Sequence, residues 1–349
     1  MKMFKNLPAI LATLVLFCMG TMLTACDNDS NKPQAQSQPK DSAPKVGILL
    51  YHEDLYISMV GKAMDELLKG KTDVVMLTAG NNQLTQDAQI QTLLDSKVNV
   101  LAVNIVNPQT ASRVVDLAQK ANIPVIFFNR EPDLDTLKVY NKAVFVGTTP
   151  MDAGIMQGDI IVKLWNEHPE FDRNGDGAFS YVMFMGELDN PEALARTEYS
   201  IRRAMDKGVS MRQIGETYVC NWDDALAGKA MQLALATFGD AIELVVANND
   251  AMALGAISSL AERGYNQVGG DKEHFIPVVG VDAVPSAVDA IQTGIMSGTV
   301  KQDSDAMAAA VAALVLNALD GKDFLAGTPY AWDDSSVAVR IPYSMYTGE

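Results

Sequence analysis

Three consecutive polar residues follow an apolar, β-branched run in the second half of the chain. Residues 242–247 have the composition of a buried strand, Asn248-Asn249-Asp250 comes directly after it, and the Ala-, Met- and Leu-rich run beyond favours a helix. At such a strand-to-helix junction of an open α/β sheet, side chains face the ligand crevice, so Asn249 is predicted to contact a polar small molecule. The alternative role is helix capping by Asp250, and the two roles are compatible.

A second group of oxygen-bearing side chains has the spacing of a cation-binding loop. From residue 172 the sequence runs Asp-Arg-Asn-Gly-Asp-Gly-Ala-Phe-Ser, with oxygen side chains at loop positions one, three, five and nine and Gly177 at position six. Calcium takes about six to eight oxygens, which alternate positions of a tight loop turn inward. The candidate ligands are Asp172, Asn174, Asp176, the backbone carbonyl of Ala178, and Ser180. Position twelve is Met183 rather than Glu, so another carboxylate must complete the site; otherwise the segment is an ordinary Asp/Asn/Gly turn.

Alternating short apolar strands and helices are predicted to position these residues. The first series of strands covers residues 45–51, 74–77, 98–104 and 124–129, with helices at 56–68, 83–94 and 109–120. The second series begins near Val144, with helices at 150–167, 191–207 and 223–238 and strands at 181–186 and 216–220. Helices at 285–293 and 303–319, a short strand near Thr299 and a last strand at 337–341 complete the chain. Such alternation predicts parallel sheets covered by helices on both faces.

The chain repeats this design once. Residues 123–129 (IPVIFFN) resemble residues 276–282 (IPVVGVD), and the two strands end in Asn129 and Asp282. The predicted fold class is therefore α/β, with two doubly wound Rossmann-like lobes joined by a three-segment hinge that opens and closes around a cleft. We expect one lobe to comprise residues 45–147 and 303–338, and the other to comprise residues 148–302 and 339–349.

Residues 1–25 have the organisation of an export signal. Lys2 and Lys5 precede an apolar segment without acidic residues, and the segment ends in Leu-Thr-Ala-Cys. This ending resembles the lipobox of bacterial lipoproteins, which implies lipidation of Cys26. A plain signal peptide with an incidental cysteine and a permanent transmembrane helix are the alternatives; for the latter, the segment is marginal in length and lacks a basic stop. Residues 26–44 are polar and are predicted to form a flexible tether.

The net charge of the chain argues against one class of binding partner. Removing the signal takes away two lysines and no acid, which moves the net charge from −16 to −18 and argues against nucleic acid as a partner.

Cys220 is then the one cysteine that is neither removed nor lipidated, so the mature domain has no disulfide available. We expect it to be a buried, inert thiol, since no basic residue is near it in sequence. The 48% hydrophobic composition suffices for two cores.

Together, these features resemble the periplasmic galactose/glucose-binding proteins of bacterial ABC sugar transporters, from Lys45 to about Tyr346. The most specific matches are residues 125–132 (VIFFNREP), 172–177 (DRNGDG), 195–197 (ART), 243–252 and 279–285. The resemblance implies a type I periplasmic binding protein fold and assigns Glu243 as the missing calcium carboxylate. It also assigns sugar contacts to Asp54, Asn129, Arg196, Asn249 and Asp282, with Trp222 and Tyr56 as aromatic plates. The chemistry is appropriate, because sugar hydroxyls both donate and accept hydrogen bonds and the C–H faces of a pyranose are apolar and flat.

Three positions of the expected sugar site depart from the family pattern. Asn190 stands where the family usually has His, Glu192 where it has Asp, and Gln302 where it has Asn. Glu and Gln reach one methylene further, and an amide offers a different donor and acceptor arrangement from an imidazole. An unpaired buried polar group costs about 1–3 kcal/mol, so these changes are compatible either with glucose and galactose or with a different monosaccharide, such as a pentose.

The function expected from the resemblance is high-affinity monosaccharide binding by hinge closure, with delivery to an ABC transporter permease of the inner membrane. The predicted protein is a monomeric, lipid-anchored lipoprotein on the periplasmic side of the cell membrane, with the extracellular face of the membrane as the alternative. Docking to a chemoreceptor is a compatible further role. A sugar-sensing repressor needs an N-terminal DNA-binding helix-turn-helix, where this chain has the export signal. An enzyme is disfavoured because no G-x-S-x-G elbow or activated nucleophile is evident, although paired carboxylates such as Asp54 and Asp282 are acid–base candidates.

Overall fold

The computed structural model describes residues 43–271 and 273–348. The predicted export signal, Cys26 and all but the last two residues of the predicted tether lie outside the described residues. The strands are β1 (Lys45–Leu50), β2 (Asp73–Thr78), β3 (Val100–Val103), β4 (Val125–Phe128), β5 (Ala143–Gly147), β6 (Phe179–Met185), β7 (Met211–Gln213), β8 (Tyr218–Val219), β9 (Leu244–Ala247), β10 (Val278–Asp282), β11 (Gly298–Gln302), β12 (Ala338–Arg340) and β13 (Tyr343–Tyr346). The helices are α1 (Leu55–Leu68), α2 (Gln83–Asp95), α3 (Ala111–Ala121), α4 (Leu134–Lys138), α5 (Pro150–Glu167), α6 (Pro191–Asp206), α7 (Asp224–Phe238), α8 (Asp250–Glu262), α9 (Pro285–Gln292) and α10 (Ser304–Leu319).

These elements form two sheets, one in each lobe. The first sheet has the strand order β12-β5-β4-β3-β1-β2 and is parallel throughout. The second has the order β13-β11-β10-β9-β6-β7, with β8 also pairing with β6, and only the β11–β13 pair is antiparallel. The prediction of two doubly wound α/β lobes is confirmed.

Each sheet is covered on both faces, as the near-continuous apolar runs of its central strands require. In the first lobe, α1 and α10 pack on one face of the sheet, and α2 and α3 on the other. In the second lobe, one apolar cluster joins the sheet to α7, α8 and α9, and another joins it to α5 and α6. This packing fixes the carboxyl ends of the parallel strands, which is where polar side chains can be held toward a ligand.

The chain crosses between the lobes at three points. The first crossing runs from β5 to α5, the second from β11 to α10, and the third from β12 to β13. The third crossing corrects the expected lobe boundary at residue 338, because Val339 and Arg340 still pair with β5 of the first sheet. Three short crossings give the hinge geometry on which closure of a two-lobed protein depends.

Some elements differ from their predicted bounds. The strand expected at residues 216–220 contains only Tyr218–Val219, and the final strand expected at 337–341 is followed by the separate β13. The short edge strand β7 was not predicted, since two of its three residues are exposed and it lacks an apolar run. Within the described residues, no helix is both long enough and apolar enough to cross a membrane.

Candidate functional site

A cavity lies between the lobes at the carboxyl ends of the parallel strands. It encloses about 600 Å³ of space that no protein atom occupies, a figure that includes open solvent. All ten residues predicted to contact a sugar line it: Asp54, Tyr56, Asn129, Asn190, Glu192, Arg196, Trp222, Asn249, Asp282 and Gln302. Both lobes contribute to its walls, so a ligand that fills the cavity touches both.

Three of these side chains cap helices that begin at the cavity, and the capping hydrogen bonds hold the side chains in place. Asp54 accepts from the Ile57 backbone N–H at 2.7 Å at the start of α1. Asn190 accepts from Glu192 N–H at 2.9 Å at the start of α6, and Asn249 from Met252 N–H at 3.0 Å at the start of α8. A capping side chain loses little mobility when a ligand arrives, because the helix terminus already fixes it.

The three polar residues 248–250 do not have the roles that the sequence predicted for them. The cap of α8 is Asn249, so the expectation that Asp250 caps the helix is wrong. Asp250 is fully buried, and it accepts from Thr299 Oγ1 at 2.7 Å and from Val284 N–H at 3.0 Å. Burial raises the pKa of Asp250 to about 7. Asn248 is also buried away from the cavity, where its Oδ1 accepts from Gly186 N–H at 3.1 Å.

Three side chains of the cavity wall sit on left-handed backbone. Asn129, Trp222 and Asp282 have φ values of 61°, 67° and 124°. Left-handed backbone is costly for a bulky aromatic residue and concentrates at functional sites. The structure makes room for the Trp222 ring at Gly186, where an added Cβ would lie 2.3 Å from Trp222 Cζ2.

The charges of the cavity are buried and opposed. Arg196 Nη1 lies 4.0 Å from Asp282 Oδ1 and donates to the Asn248 carbonyl at 2.8 Å. Burial raises the pKa of Asp282 well above its ordinary value, while Arg196 acts in the opposite direction. Burial also raises the pKa of Asp54, which accepts a hydrogen bond from the Tyr51 hydroxyl at 2.5 Å. The charged side chains that line the cavity are four carboxylates (Asp54, Glu131, Glu192 and Asp282) and two guanidinium groups (Arg130 and Arg196), a balance that disfavours an anionic ligand.

Unpaired hydrogen-bond donors line this cavity. Among the described residues that line the cavity, Trp222 Nε1, Arg130 Nε, Arg196 Nε and Gln302 Nε2 are buried without a protein partner. The amide of Asn129 offers another donor, because its Oδ1 accepts from Asn104 Nδ2 at 3.0 Å and its NH₂ group is left for the cavity. Buried donors are nearly always satisfied, so these atoms need oxygen acceptors from a ligand or from water.

The predicted cation loop has the expected backbone. Gly175 and Gly177 adopt φ values of 68° and 76°. Asp172 accepts from the backbone N–H groups of Asp176 at 3.1 Å and Gly177 at 3.0 Å, and Asn174 Oδ1 also accepts from Asp176 N–H at 2.9 Å. The Asp172 and Asn174 oxygens thus accept from backbone N–H groups of the loop, an arrangement that an empty cation loop and an ordinary Asp/Asn/Gly turn share.

Glu243 reaches this loop from the strand that leads into the Asn-Asn-Asp junction. Its Oε1 accepts from Arg173 N–H at 2.9 Å and its Oε2 from Ser180 N–H at 2.9 Å. Asp176 is paired with Arg212. Within residues 43–271 and 273–348, no group of three or more His, Cys, Asp or Glu side chains is arranged to hold a metal ion. The hard oxygen donors fit calcium in chemistry, provided that Arg212 leaves Asp176 and that amide, hydroxyl and carbonyl oxygens complete the set.

A family model for the periplasmic binding protein domain matches residues 46–323 of this chain. The chain belongs to the periplasmic binding protein family. This binding protein is 35% identical over 304 residues to the D-galactose/methyl-galactoside binding periplasmic protein of Haemophilus influenzae, covering 86% of this chain and 88% of the relative. It is 25% identical over 293 residues to the D-xylose-binding periplasmic protein of Escherichia coli, covering 81% and 80%.

Solved structures share the same architecture. An ABC transporter solute binding protein from Bacillus halodurans with bound myo-inositol has a TM-score of 0.70 and 24% sequence identity, and the match covers 89% of this chain and 96% of that one. The type I periplasmic binding protein fold expected from the sequence is confirmed.

Several residues around the cleft of this binding protein were not singled out from the sequence. Arg130 lies over the Tyr51 ring at 4.5 Å and pairs across the cleft with Glu187 at 2.7 Å. Thr148 lies on the first crossing, Tyr343 begins β13 directly after the third crossing, and both contact Glu192. Arg130 had a signal, since it directly follows the strand-end residue Asn129. The other contacts join segments far apart in sequence and have no local pattern.

Cys220 is buried, as expected, and does not line the cavity. Burial, together with the nearby Asp223, raises the pKa of the Cys220 thiol to about 12. The thiolate is the reactive form of cysteine, so this residue is unreactive near neutral pH.

Proposed function

We propose that this periplasmic binding protein carries one monosaccharide in its cleft and presents it to the permease of an ABC transporter. The observation that carries the proposal is the composition of the cavity wall. It combines unpaired buried donors, the carboxylates of Asp54 and Asp282, and two aromatic side chains from opposite lobes, Tyr56 and Trp222. Sugar hydroxyls pair with such donors and acceptors, and aromatic rings cover the C–H face of a pyranose.

D-galactose or D-glucose is the proposed ligand. The most favourable support is the 35% identity to a relative named for D-galactose and methyl-galactoside binding. A pentose is the alternative, favoured by the departures at Asn190, Glu192 and Gln302 and by the likeness to a D-xylose-binding relative. Glu192 and Gln302 are each one methylene longer than the residues usual in the family, so they leave less room in the cleft and favour a smaller sugar.

Binding and closure are coupled because the walls belong to different lobes. A sugar that contacts Asn129 of the first lobe and Asp282 of the second has more contacts in the closed form than in the open form. That difference in affinity is what shifts the equilibrium toward closure. The closed surface is then what a permease, or a chemoreceptor as a second partner, recognises.

A structural calcium ion is also proposed, at the loop of residues 172–180. When bound, calcium would neutralise and cross-link the carboxylates of Asp172, Asp176 and Glu243. Glu243 directly precedes β9, and β9 leads to Asn249 at the cavity. An ion that immobilises Glu243 would therefore also restrict the motion of the strand that positions Asn249. We further propose that lipid on Cys26 holds the protein, as a monomer, at the periplasmic face of the membrane, and that it catalyses no reaction on the sugar.

The test is calorimetric titration of the mature, calcium-loaded chain with D-galactose, D-glucose, D-xylose and D-ribose. We expect one sugar per chain and micromolar or tighter dissociation constants for galactose or glucose. Binding of a pentose alone would move the assignment to the alternative and make Asn190, Glu192 and Gln302 the positions to exchange. No binding across the panel would contradict the proposed sugar function.

A further inference from the structure

An ion pair on α6 is contacted by polar side chains that lie on or directly beside the three crossings between the lobes. The pair is Glu192 and Arg196, one helical turn apart, with Arg196 Nη2 3.1 Å from Glu192 Oε2. Thr148 lies on the first crossing, Gln302 ends the strand that leads into the second, and Tyr343 follows the third. We refer to these five residues as the hinge cluster.

The carboxylate of Glu192 is held from the first and third crossings. Its Oε1 accepts from Thr148 Oγ1 at 2.7 Å. Its Oε2 lies 3.1 Å from the Tyr343 hydroxyl, which is also 3.0 Å from Thr148 Oγ1. Both carboxylate oxygens are therefore engaged by residues of the hinge, although Glu192 also lines the cavity.

The guanidinium of Arg196 is held by the last residue of β11 and the first residue of β13. Its Nη2 donates to Gln302 Oε1 at 3.0 Å and to the Tyr343 hydroxyl oxygen at 3.0 Å. Arg196 is 3% exposed and Tyr343 5% exposed, so these bonds are made out of contact with bulk water. Hydrogen bonds to buried charges are stronger than neutral ones and are costly to leave unmade.

Within the hinge cluster, the contacts of Thr148 depend on the angle between the lobes. The other four members belong to the second lobe, where Gln302 pairs with Tyr343 between β11 and β13, whereas the Thr148 carbonyl accepts from Arg340 of the first lobe. The hydrogen bonds between Thr148 Oγ1 and its partners Glu192 and Tyr343 therefore change when the lobes rotate about the first crossing. Glu192, Arg196 and Gln302 line the cavity, whereas Thr148 and Tyr343 do not. A change at Thr148 or Tyr343 therefore reaches a bound ligand only through the side chains that they hold.

We propose that Thr148 and Tyr343 are positioning residues that couple the hinge angle to the ligand cavity. In the closed arrangement they fix Glu192 and Arg196 in the cavity wall, and the hydrogen bonds they make stabilise that arrangement. The inference rests on the proposed function for the identity of the ligand. It also makes a claim about the ligand-free protein, since the hinge cluster consists of protein groups alone.

The experiment compares Thr148→Val, Thr148→Ser and Tyr343→Phe with the wild-type mature chain. Thr149→Val is the matched control, because Thr149 lies on the same crossing and its side chain caps nothing. Sugar dissociation constants and off-rates are measured by calorimetry and stopped-flow fluorescence. The ligand-free closed fraction is measured by single-molecule energy transfer between dyes at Lys120→Cys and Lys229→Cys, which are exposed positions on different lobes, in a Cys26→Ser background.

We expect Thr148→Val and Tyr343→Phe to weaken binding by about tenfold, the effect of one lost hydrogen bond to a buried charge. The loss should appear in the off-rate, be equal for every sugar that binds, and accompany a lower ligand-free closed fraction. Thr148→Ser retains the hydroxyl and should restore all three values, and Thr149→Val should leave them unchanged.

Unchanged off-rates and an unchanged closed fraction in Thr148→Val and Tyr343→Phe would overturn the proposal. A loss that differs between sugars would also overturn it, because that pattern indicates a direct effect on the ligand. If no sugar binds the wild-type chain, the proposed function fails, and the ligand-free closed fraction still decides the role of the hinge cluster.

Discussion

Replacing Glu187 with Gln is predicted to weaken ligand binding although Glu187 does not line the ligand cavity. Glu187 follows β6 in the second lobe, and its Oε2 pairs with Arg130 of the first lobe at 2.7 Å. Its Oε1 also accepts from Asn81 of the first lobe at 3.4 Å. Because these contacts join the two lobes, they form only when the lobes are close together. They therefore make the free energy of closure more favourable.

The size of the effect follows from the burial of the pair. The side chains of Arg130 and Glu187 are 8% and 19% exposed. An exposed ion pair is worth about 0–1 kcal/mol, and a hydrogen bond to a charged group about 1.5–3 kcal/mol. Arg130 keeps its contacts with the Tyr51 ring and with the Val106 carbonyl at 2.8 Å after the change. We therefore expect a loss of about 1–2 kcal/mol, which raises the dissociation constant by about 5- to 30-fold.

The assay is stopped-flow measurement of association and dissociation with the preferred sugar at low and high ionic strength. The off-rate of Glu187→Gln should exceed the wild-type value, and the difference should shrink as salt weakens the wild-type ion pair. Asp159→Asn is the control, because Asp159 pairs with Arg203 at 2.7 Å within the second lobe alone. Equal off-rates for Glu187→Gln and wild type at low salt would refute the reasoning.

Three further predictions concern the cavity, the loop and a buried acid. Trp222→Phe keeps an aromatic face but removes the Nε1 donor, so titration should show sugar binding about 2- to 12-fold weaker; unchanged affinity would mean that this donor does not meet the ligand. Chelation of calcium should lower the melting temperature by about 5 °C or more, and Glu243→Gln should abolish that difference; a wild-type melt unaffected by chelator would contradict the calcium proposal. The raised pKa of Asp250, about 7 against 3.8, means that the folded state binds more protons between these values, so wild-type stability should fall relative to Asp250→Asn as pH rises through 7. Urea unfolding at pH 5 and pH 8 measures this, with the exposed Asp116→Asn as control, and parallel pH profiles for wild type and Asp250→Asn would count against it.

The sequence predicted which strand-end residues line the cavity because the fold places the carboxyl ends of parallel strands at one edge. Asn129, Asn249 and Asp282 each follow an apolar strand, and the periodicity of such strands is a local signal. It could not assign the cap of α8, since Asn249 and Asp250 are both good capping residues and only the tertiary contacts of Asp250 with Thr299 and Val284 decide between them.

Contacts between distant segments were beyond local patterns. Tyr343 reaches Glu192 across 151 positions of the chain, and Glu187 reaches Arg130 across 57. Neither pair has a spacing that helices or strands produce. The third crossing was placed two residues too early for the same reason, because the pairing of β12 with β5 is long-range.

The most direct test of the central claim, that one sugar contacts both lobes, is titration of D-galactose into the wild type, Asn129→Asp and Asp282→Asn. Asn129→Asp keeps the acceptor used by Asn104 but loses the NH₂ donor, and Asp282→Asn loses the carboxylate of the other lobe. One site per wild-type chain is expected, with affinity reduced by about tenfold or more in each variant. Wild-type binding with unchanged affinity in both variants would place the sugar elsewhere and contradict binding between the lobes.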